Sequence, residues 1–197
     1  MMPSSDQIAE VLGSGGVVLL PTDTVLGIAA SPAHAQAIEK IYALKQRPRD
    51  KNLPIMVAGA DQIAGLGAVL SESALKLLAS AYVPGALTLV LALDPMLVPA
   101  WLIGRREIAV RIPNNVLLLE ALEKSGPLMV TSANRSGAEP PATTEEAADQ
   151  LFGAPDLIVP GKGAAPAPST IVDCTRDPVV ILRHGVVSEA DIHEVLA

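Results

Sequence analysis

The chain has 197 residues, a formal net charge of −7, and a composition that is 50% hydrophobic but only 2% aromatic. That suffices for one sizeable α/β core filled by Val, Leu, Ile and Ala, and it argues against a protein that holds polynucleotides by base stacking and a broad basic face. The single cysteine, Cys174, excludes an internal disulfide and a multi-cysteine zinc site, and it fits a reducing, cytoplasmic setting.

Ser4 or Ser5 is placed to cap a first helix whose Ile8, Val11 and Leu12 fall at helical spacing, and the run from Gly13 to Gly16 stops it. GVVLL follows as an aliphatic strand ending at Pro21, so Thr22, Asp23 and Thr24 lie at the carboxyl end of a strand, where α/β sheets bind ligands. The next helix runs from Ala35 to Lys45 with Ile38, Ile41, Tyr42 and Leu44 on one stripe. Pro48 biases Arg47 away from helical angles, which makes KQRPRDKNL, Lys45 to Leu53, a loop. Ser71 opens a helix through Ala79, Pro84 and Gly85 turn the chain, and ALTLVLAL reads as a buried strand. The most apolar window, Val83 to Gly104, is interrupted by Asp94, Pro84, Pro95 and Pro99, so no membrane helix is expected; nor does a charged-then-apolar leader open the chain. IAVRI, Ile108 to Ile112, carries Arg111 near its end. Asn114 or Asn115 caps VLLLEALEK, Gly126 ends it, and LMVT feeds the loop SANRSG. Thr143 and Glu146 fit a capping box for a helix through Phe152. Pro160 to Pro168 is a loop, STIVD and VVILR are strands, and Ser188 with Asp191 starts a last helix. With no repeat, linker or low-complexity tract, the expectation is one mixed-sheet α/β domain over residues 1–197.

Paired metal-spaced histidines, a nucleophile elbow, a Walker loop and a Rossmann glycine fingerprint are all missing. His34, His184 and His193 are far apart and read as solvated or structural, and Cys174 reads as a core residue. Two readings of the cationic loop stand: charges solvated at a helix C-terminus, or Lys45 and Arg47 clamping a polyphosphate across the helix end. The turn at Ser132 and Asn134 offers a hydroxyl, an amide and backbone N–H groups to an anion, or is an ordinary Ser/Asn turn. Arg111 and Arg183 follow strands and Ser169 precedes one. The set binds anions without supplying an obvious general base, which suits a reaction driven by positioning and charge neutralisation.

The segments PTDTVLGIAA, KQRPRDKNL, PGALTLVL, IAVRIP, TSANRSG, PSTIVD and ILRHG occur in the order seen in the YrdC family of threonylcarbamoyl-AMP synthases, and the chain resembles that family over most of its length. The resemblance implies the YrdC-like fold shared by YrdC and RibB, a twisted mixed α/β sheet with an open concave site. It also implies a nucleotidyltransferase that makes threonylcarbamoyl-AMP from L-threonine, bicarbonate and ATP, with Mg2+ accompanying ATP, as the first step toward threonylcarbamoyladenosine in transfer RNA. Carried over by motif, Lys45, Arg47, Ser132 and Asn134 form the reactive tetrad. These four, with Asn52 and Arg183, line ATP; Thr24, Arg111 and Ser169 hold threonine. Arg49 and Lys51 guide substrate inward or sit in solvent. Implied partners are a transfer-RNA threonylcarbamoyl transferase complex and a weak RNA contact. Leu26 replaces an aromatic residue common in the family, LPIMVA replaces a strand that often carries a histidine, and the extra C-terminal domain of longer relatives is not expected. Asp23 is the nearest acidic group for the metal, whose ligands the sequence does not assign. The rival readings are an RNA-binding or ribosome-maturation protein and a paralogue with another carbamoyl or adenylyl transfer.

Overall fold

The computed structural model describes residues 2–165 and 167–197; Met1, and Pro166 within the expected loop Pro160 to Pro168, lie outside it. Seven α-helices and ten strands, with one short 3-10 helix at Ala100–Leu102, are formed by the described residues. In chain order the strands are β1 Val18–Leu20, β2 Gly27–Ala30, β3 Ile55–Met56, β4 Ala68–Val69, β5 Leu87–Leu93, β6 Glu107–Arg111, β7 Leu128–Ser132, β8 Leu157–Ile158, β9 Thr170–Asp173 and β10 Val180–Arg183. The helices are α1 Ser5–Gly13, α2 Ala35–Lys45, α3 Ala60–Gly65, α4 Glu72–Leu78, α5 Val116–Ser125, α6 Thr144–Gln150 and α7 Glu189–Leu196.

Short polar caps set the helix starts. Ser4, Thr143 and Ser188 each make a reciprocal capping box, with Gln7, Glu146 and Asp191 respectively, while Asn115 accepts the Leu118 N–H at 3.0 Å. Of the alternatives left open by the sequence, Ser4 and Asn115 are therefore the caps. Helix α6 closes at Gln150, two residues short of the expected Phe152.

All ten strands join one mixed sheet, ordered β10-β9-β5-β6-β3-β7-β2-β1-β8, with β4 alongside β5. Parallel pairs (β1 with β8, β3 with β6, β5 with β9) sit among antiparallel ones. The longest strand, β5, is the hub: Leu89 faces Val110 of β6 on one side and Val172 of β9 on the other. Side chains alternate across the sheet, which sorts the core into three clusters. Leu87, Leu89, Leu91, Ile55, Val110 and Val172 pack under α3, α4 and α7. Val17, Leu19, Ile28 and Met129 pack under α2 and α6 on the other half of the same side. On the opposite side Leu20, Ala29 and Val130 pack under α1 and α5. Those two helices cover the β1–β2–β7 half only. The uncovered half, across β5, β6 and β9, is a concavity.

Gly185, just after β10, fastens that concavity's rim. A Cβ there would meet the Pro168 carbonyl oxygen, with Ser169 C at 2.5 Å and Thr170 N at 2.6 Å, and backbone cannot step aside as a side-chain tip can. Gly185→Ala is expected to destabilise the fold by about 1–3 kcal/mol, read from the urea unfolding midpoint; an unchanged midpoint would mean the close approach is not made.

Candidate active site

The concavity has a volume of about 310 Å³ and is lined by side chains from both sheet halves and from three loops. Its floor is apolar: Val90, Ala109, Met56, Val130 and Ile171. Polar groups stand around that floor. Of the nine residues carried over by motif, Thr24, Arg47, Asn52, Arg111, Ser132, Ser169 and Arg183 line the cavity, whereas Lys45 and Asn134 do not. Leu26 is fully buried in the wall, and Met56, from the LPIMVA segment, is a buried lining residue.

Arg111 lies at the centre, only 5% exposed. Three of its five N–H groups are used within the protein: Nε donates to Gly85 O at 2.9 Å, Nη1 to Thr24 Oγ1 at 2.8 Å and Nη2 to Asp23 Oδ1 at 2.7 Å. The other two, one on each terminal nitrogen, are not used by these three bonds, and a planar guanidinium with N–H groups to spare is a good partner for a carboxylate. Burial lowers its pKa from the usual value, with the Asp23 carboxylate opposing that effect. Asp23 is consequently not a carboxylate facing water, and as Arg111's counter-ion it is a poor candidate for a metal ligand. Among the described residues no group of three or more His, Cys, Asp and Glu side chains is placed to hold a metal ion.

Arg183, on the outer strand β10, donates from Nε and Nη2 to Ser169 O at 3.0 and 2.8 Å, and from Nη2 to Ser169 Oγ at 3.1 Å. Ser169 Oγ also meets Thr88 Oγ1 at 2.7 Å. Thr22 and Thr88 are cavity residues that the sequence reading did not select. For Thr88 the available signal was a hydroxyl inside an otherwise aliphatic strand.

The cationic loop divides its labour. Helix α2 ends at Gln46, which adopts left-handed backbone angles (φ 48°); the reversal there, more than Pro48, ends the helix. Lys45 and Arg47 consequently take different partners within the protein. Arg47 turns to the cavity, held by Nε on Lys51 O at 3.0 Å and Nη2 on Asn52 O at 2.9 Å. Lys45 turns inward, 1% exposed, and its ammonium binds the carbonyl oxygens of Ser132 and Asn134. The Asn134 amide donates to Arg135 O at 3.1 Å and Ala138 O at 2.6 Å. Both residues thus shape the turn that presents Ser132. Arg49 sits at the exposed surface, where it pairs with Glu39 and lies over the Tyr42 ring, 4.7 Å from its centroid. Away from the site, His34 Nε2 contacts Gly13 O at 2.9 Å, and burial, then the charge of Asp173, pushes the Cys174 thiol to about 12.

Fold and cavity define a mixed-sheet α/β protein whose uncovered half-sheet gathers guanidinium and hydroxyl groups around one cavity. The Sua5/YciO/YrdC family model, described as "Telomere recombination", matches residues 10–185. The chain belongs to that family. It is 36% identical over 197 residues to the Bacillus subtilis (strain 168) protein named threonylcarbamoyl-AMP synthase, covering 98% of this chain and 57% of that one. A structure of Pyrococcus abyssi Sua5, described as complexed with L-threonine, superposes with a TM-score of 0.87 at 32% identity, covering 100% of this chain and 59% of that one. Escherichia coli YciO superposes at 0.79 with 27% identity, covering 96% and 94%. The chain therefore spans less than two thirds of the length of the first two relatives. Among its described residues no helix is long and apolar enough to cross a membrane.

Burial, reinforced by the charge of Arg47, lowers the Lys45 pKa from the usual 10.5 to about 8. Between these values the unfolded chain holds a proton that the folded chain has released, so this group's contribution to stability rises with pH across that window and is flat outside it. NMR of 13Cε-labelled lysines is expected to show one lysine titrating near 8 and lost in Lys45→Met; a Lys45 signal that titrates with the exposed lysines would refute the assignment.

Proposed function

We propose that this chain is an L-threonylcarbamoyladenylate synthase, a nucleotidyltransferase that uses L-threonine, bicarbonate and ATP and releases pyrophosphate and water. The observation that carries the reading is the convergence of Arg47, Arg111 and Arg183 with Thr24, Ser132 and Ser169 on one cavity. The name of the Bacillus subtilis relative and the threonine in the Pyrococcus abyssi structure support it.

In this reading the threonine amine captures bicarbonate as a carbamate with loss of water. A carbamate oxygen then bonds to the α-phosphorus of ATP, the bond to the outer two phosphates breaks, and pyrophosphate leaves with the electron pair. The amino-acid carboxylate, the carbamate and the triphosphate are all anions, and their mutual repulsion must be offset by fixed cations. The two uncommitted N–H groups of Arg111 take the carboxylate, with Thr24 and Ser169 orienting the rest of the amino acid. Arg47, Asn52, Ser132 and Arg183 hold the nucleotide, and Lys45 and Asn134 keep the Ser132 turn in shape. Guanidinium groups already fixed by carbonyls need no reorientation as charge develops on the phosphoryl oxygens, which is where the rate gain arises.

The residues present do not fit a resident magnesium site, because Asp23 is committed to Arg111. Magnesium enters with the triphosphate, shielding phosphate charge as ATP binds. A cytoplasmic setting, delivery of the product to a transfer-RNA threonylcarbamoyl transferase complex and a weak RNA contact complete the proposal.

The test is mass detection of the adenylate from threonine, bicarbonate and ATP. Arg47→Ala is expected to lower its formation on the order of a hundredfold with little loss of fold, since Arg47 is half-buried and bonds only two loop carbonyls. Pyrophosphate release that continues without threonine would instead indicate another adenylyl transfer, and salt-sensitive RNA binding with no adenylate would indicate the RNA-binding reading.

A further inference from the structure

One hydroxyl pair in the cavity has its protons placed by bonding alone. Thr22 Oγ1 lies 2.6 Å from the carbonyl oxygen of Val25, a contact that only the Thr22 hydroxyl proton can bridge. The same oxygen accepts the Thr24 N–H at 3.0 Å. With its own proton committed, Thr22 can only accept from the Thr24 hydroxyl, 3.2 Å away. Thr24 Oγ1 also accepts from Arg111 Nη1 at 2.8 Å. A hydroxyl has one proton and two lone pairs, so Thr24 is left with one lone pair and no proton to offer a ligand. Thr22 is 2% exposed and Thr24 1%, and both line the cavity.

We infer that Thr22 is a positioning residue that fixes the Thr24 hydroxyl as an acceptor toward the cavity, and that the group it receives is an N–H of the bound amino acid's α-amine. The inference rests on the proposed function for the identity of that amino acid. The carboxylate on Arg111 and the α-amine share one carbon, and Thr24 Oγ1 is the atom that Arg111 itself touches, so a carboxylate on that guanidinium brings the amine beside the threonine oxygen. The sense of the bond matters to the chemistry. An acceptor holds the amine by its N–H and leaves the nitrogen lone pair free to attack; a hydroxyl donor in its place would occupy that lone pair.

Thr22→Val keeps the shape, deletes the hydroxyl and frees the Thr24 proton to turn toward the ligand. Thr22→Ser retains the hydroxyl, and Thr24→Val removes the acceptor itself. The measurement is competitive inhibition against L-threonine by a matched pair: L-2-aminobutyrate, which has the amine, and 2-oxobutyrate, which has a carbonyl acceptor in its place. Relative to the unaltered protein, Thr22→Val and Thr24→Val are expected to shrink the preference for the amine about tenfold, with the KM for ATP held; Thr22→Ser should keep the preference. A Thr22→Val loss that falls equally on both inhibitors and on ATP would reduce Thr22 to a structural residue and overturn the inference, leaving the proposed function intact. If the unaltered protein binds neither L-threonine nor L-2-aminobutyrate, the proposed function fails and takes the inference with it.

Discussion

A guanidinium withdrawn from water stays charged only if oxygen atoms replace its hydration, and Arg111 imposes that requirement on two distant parts of the chain. Its partners are Gly85 in the turn before β5, and Asp23 and Thr24 in the loop between β1 and β2. The Gly85 N–H in turn bonds Ile112 O at 2.9 Å, so that turn and the end of β6 are fastened in both directions. Removing one member of a buried ion pair typically costs about 3–5 kcal/mol, because it leaves the other charge without a partner. The same group therefore fastens the two halves of the sheet together and lines the cavity. Stability and ligand recognition are coupled through one side chain.

The chemistry that this arrangement favours is one of placement. The cavity floor is apolar and its rim cationic, so an anion that enters exchanges water for fixed N–H groups against a poorly polarisable surface, where each charge interaction counts for more. No histidine or cysteine lines the cavity among the described residues, and the hydroxyls of Thr22, Thr24, Thr88 and Ser169 are tied to one another or to a carbonyl. Carbamate formation followed by attack on a phosphorus asks little of a general base and much of alignment.

How far the sequence foretold this depended on where the information lay. Capped, periodic helices such as α1, α5, α6 and α7 announce themselves, because Ser4, Asn115, Thr143 and Ser188 act within a few residues of their targets. Strands β3, β4 and β8 are two residues each and β2 is the four-residue GIAA; too short to show a period, they exist because neighbouring strands pair with them. In the site, the motif reading identified the residues around the cavity but not the direction of Lys45, which depends on left-handed backbone at Gln46, a residue with no special claim to that conformation. The pairing of Asp23 was hidden for a related reason: nothing local joins it to Arg111, 88 positions away. Thr22 was marked only as part of the polar run after β1, because its contribution is to set another hydroxyl's direction, and such an effect becomes visible only when every bond around both oxygens is counted.

Strand β10 forms one end of the sheet, with Val180 and Leu182 42% and 58% exposed, and an irregularity in its pairing with β9 just before Arg183. A strand held along one side opens at lower cost than the interior does, so the cation it delivers is lent to the pocket by an edge of the scaffold. Occupancy and local order at this margin then rise together: an anion gripped by Arg183 also grips the strand, and the empty protein should breathe there first.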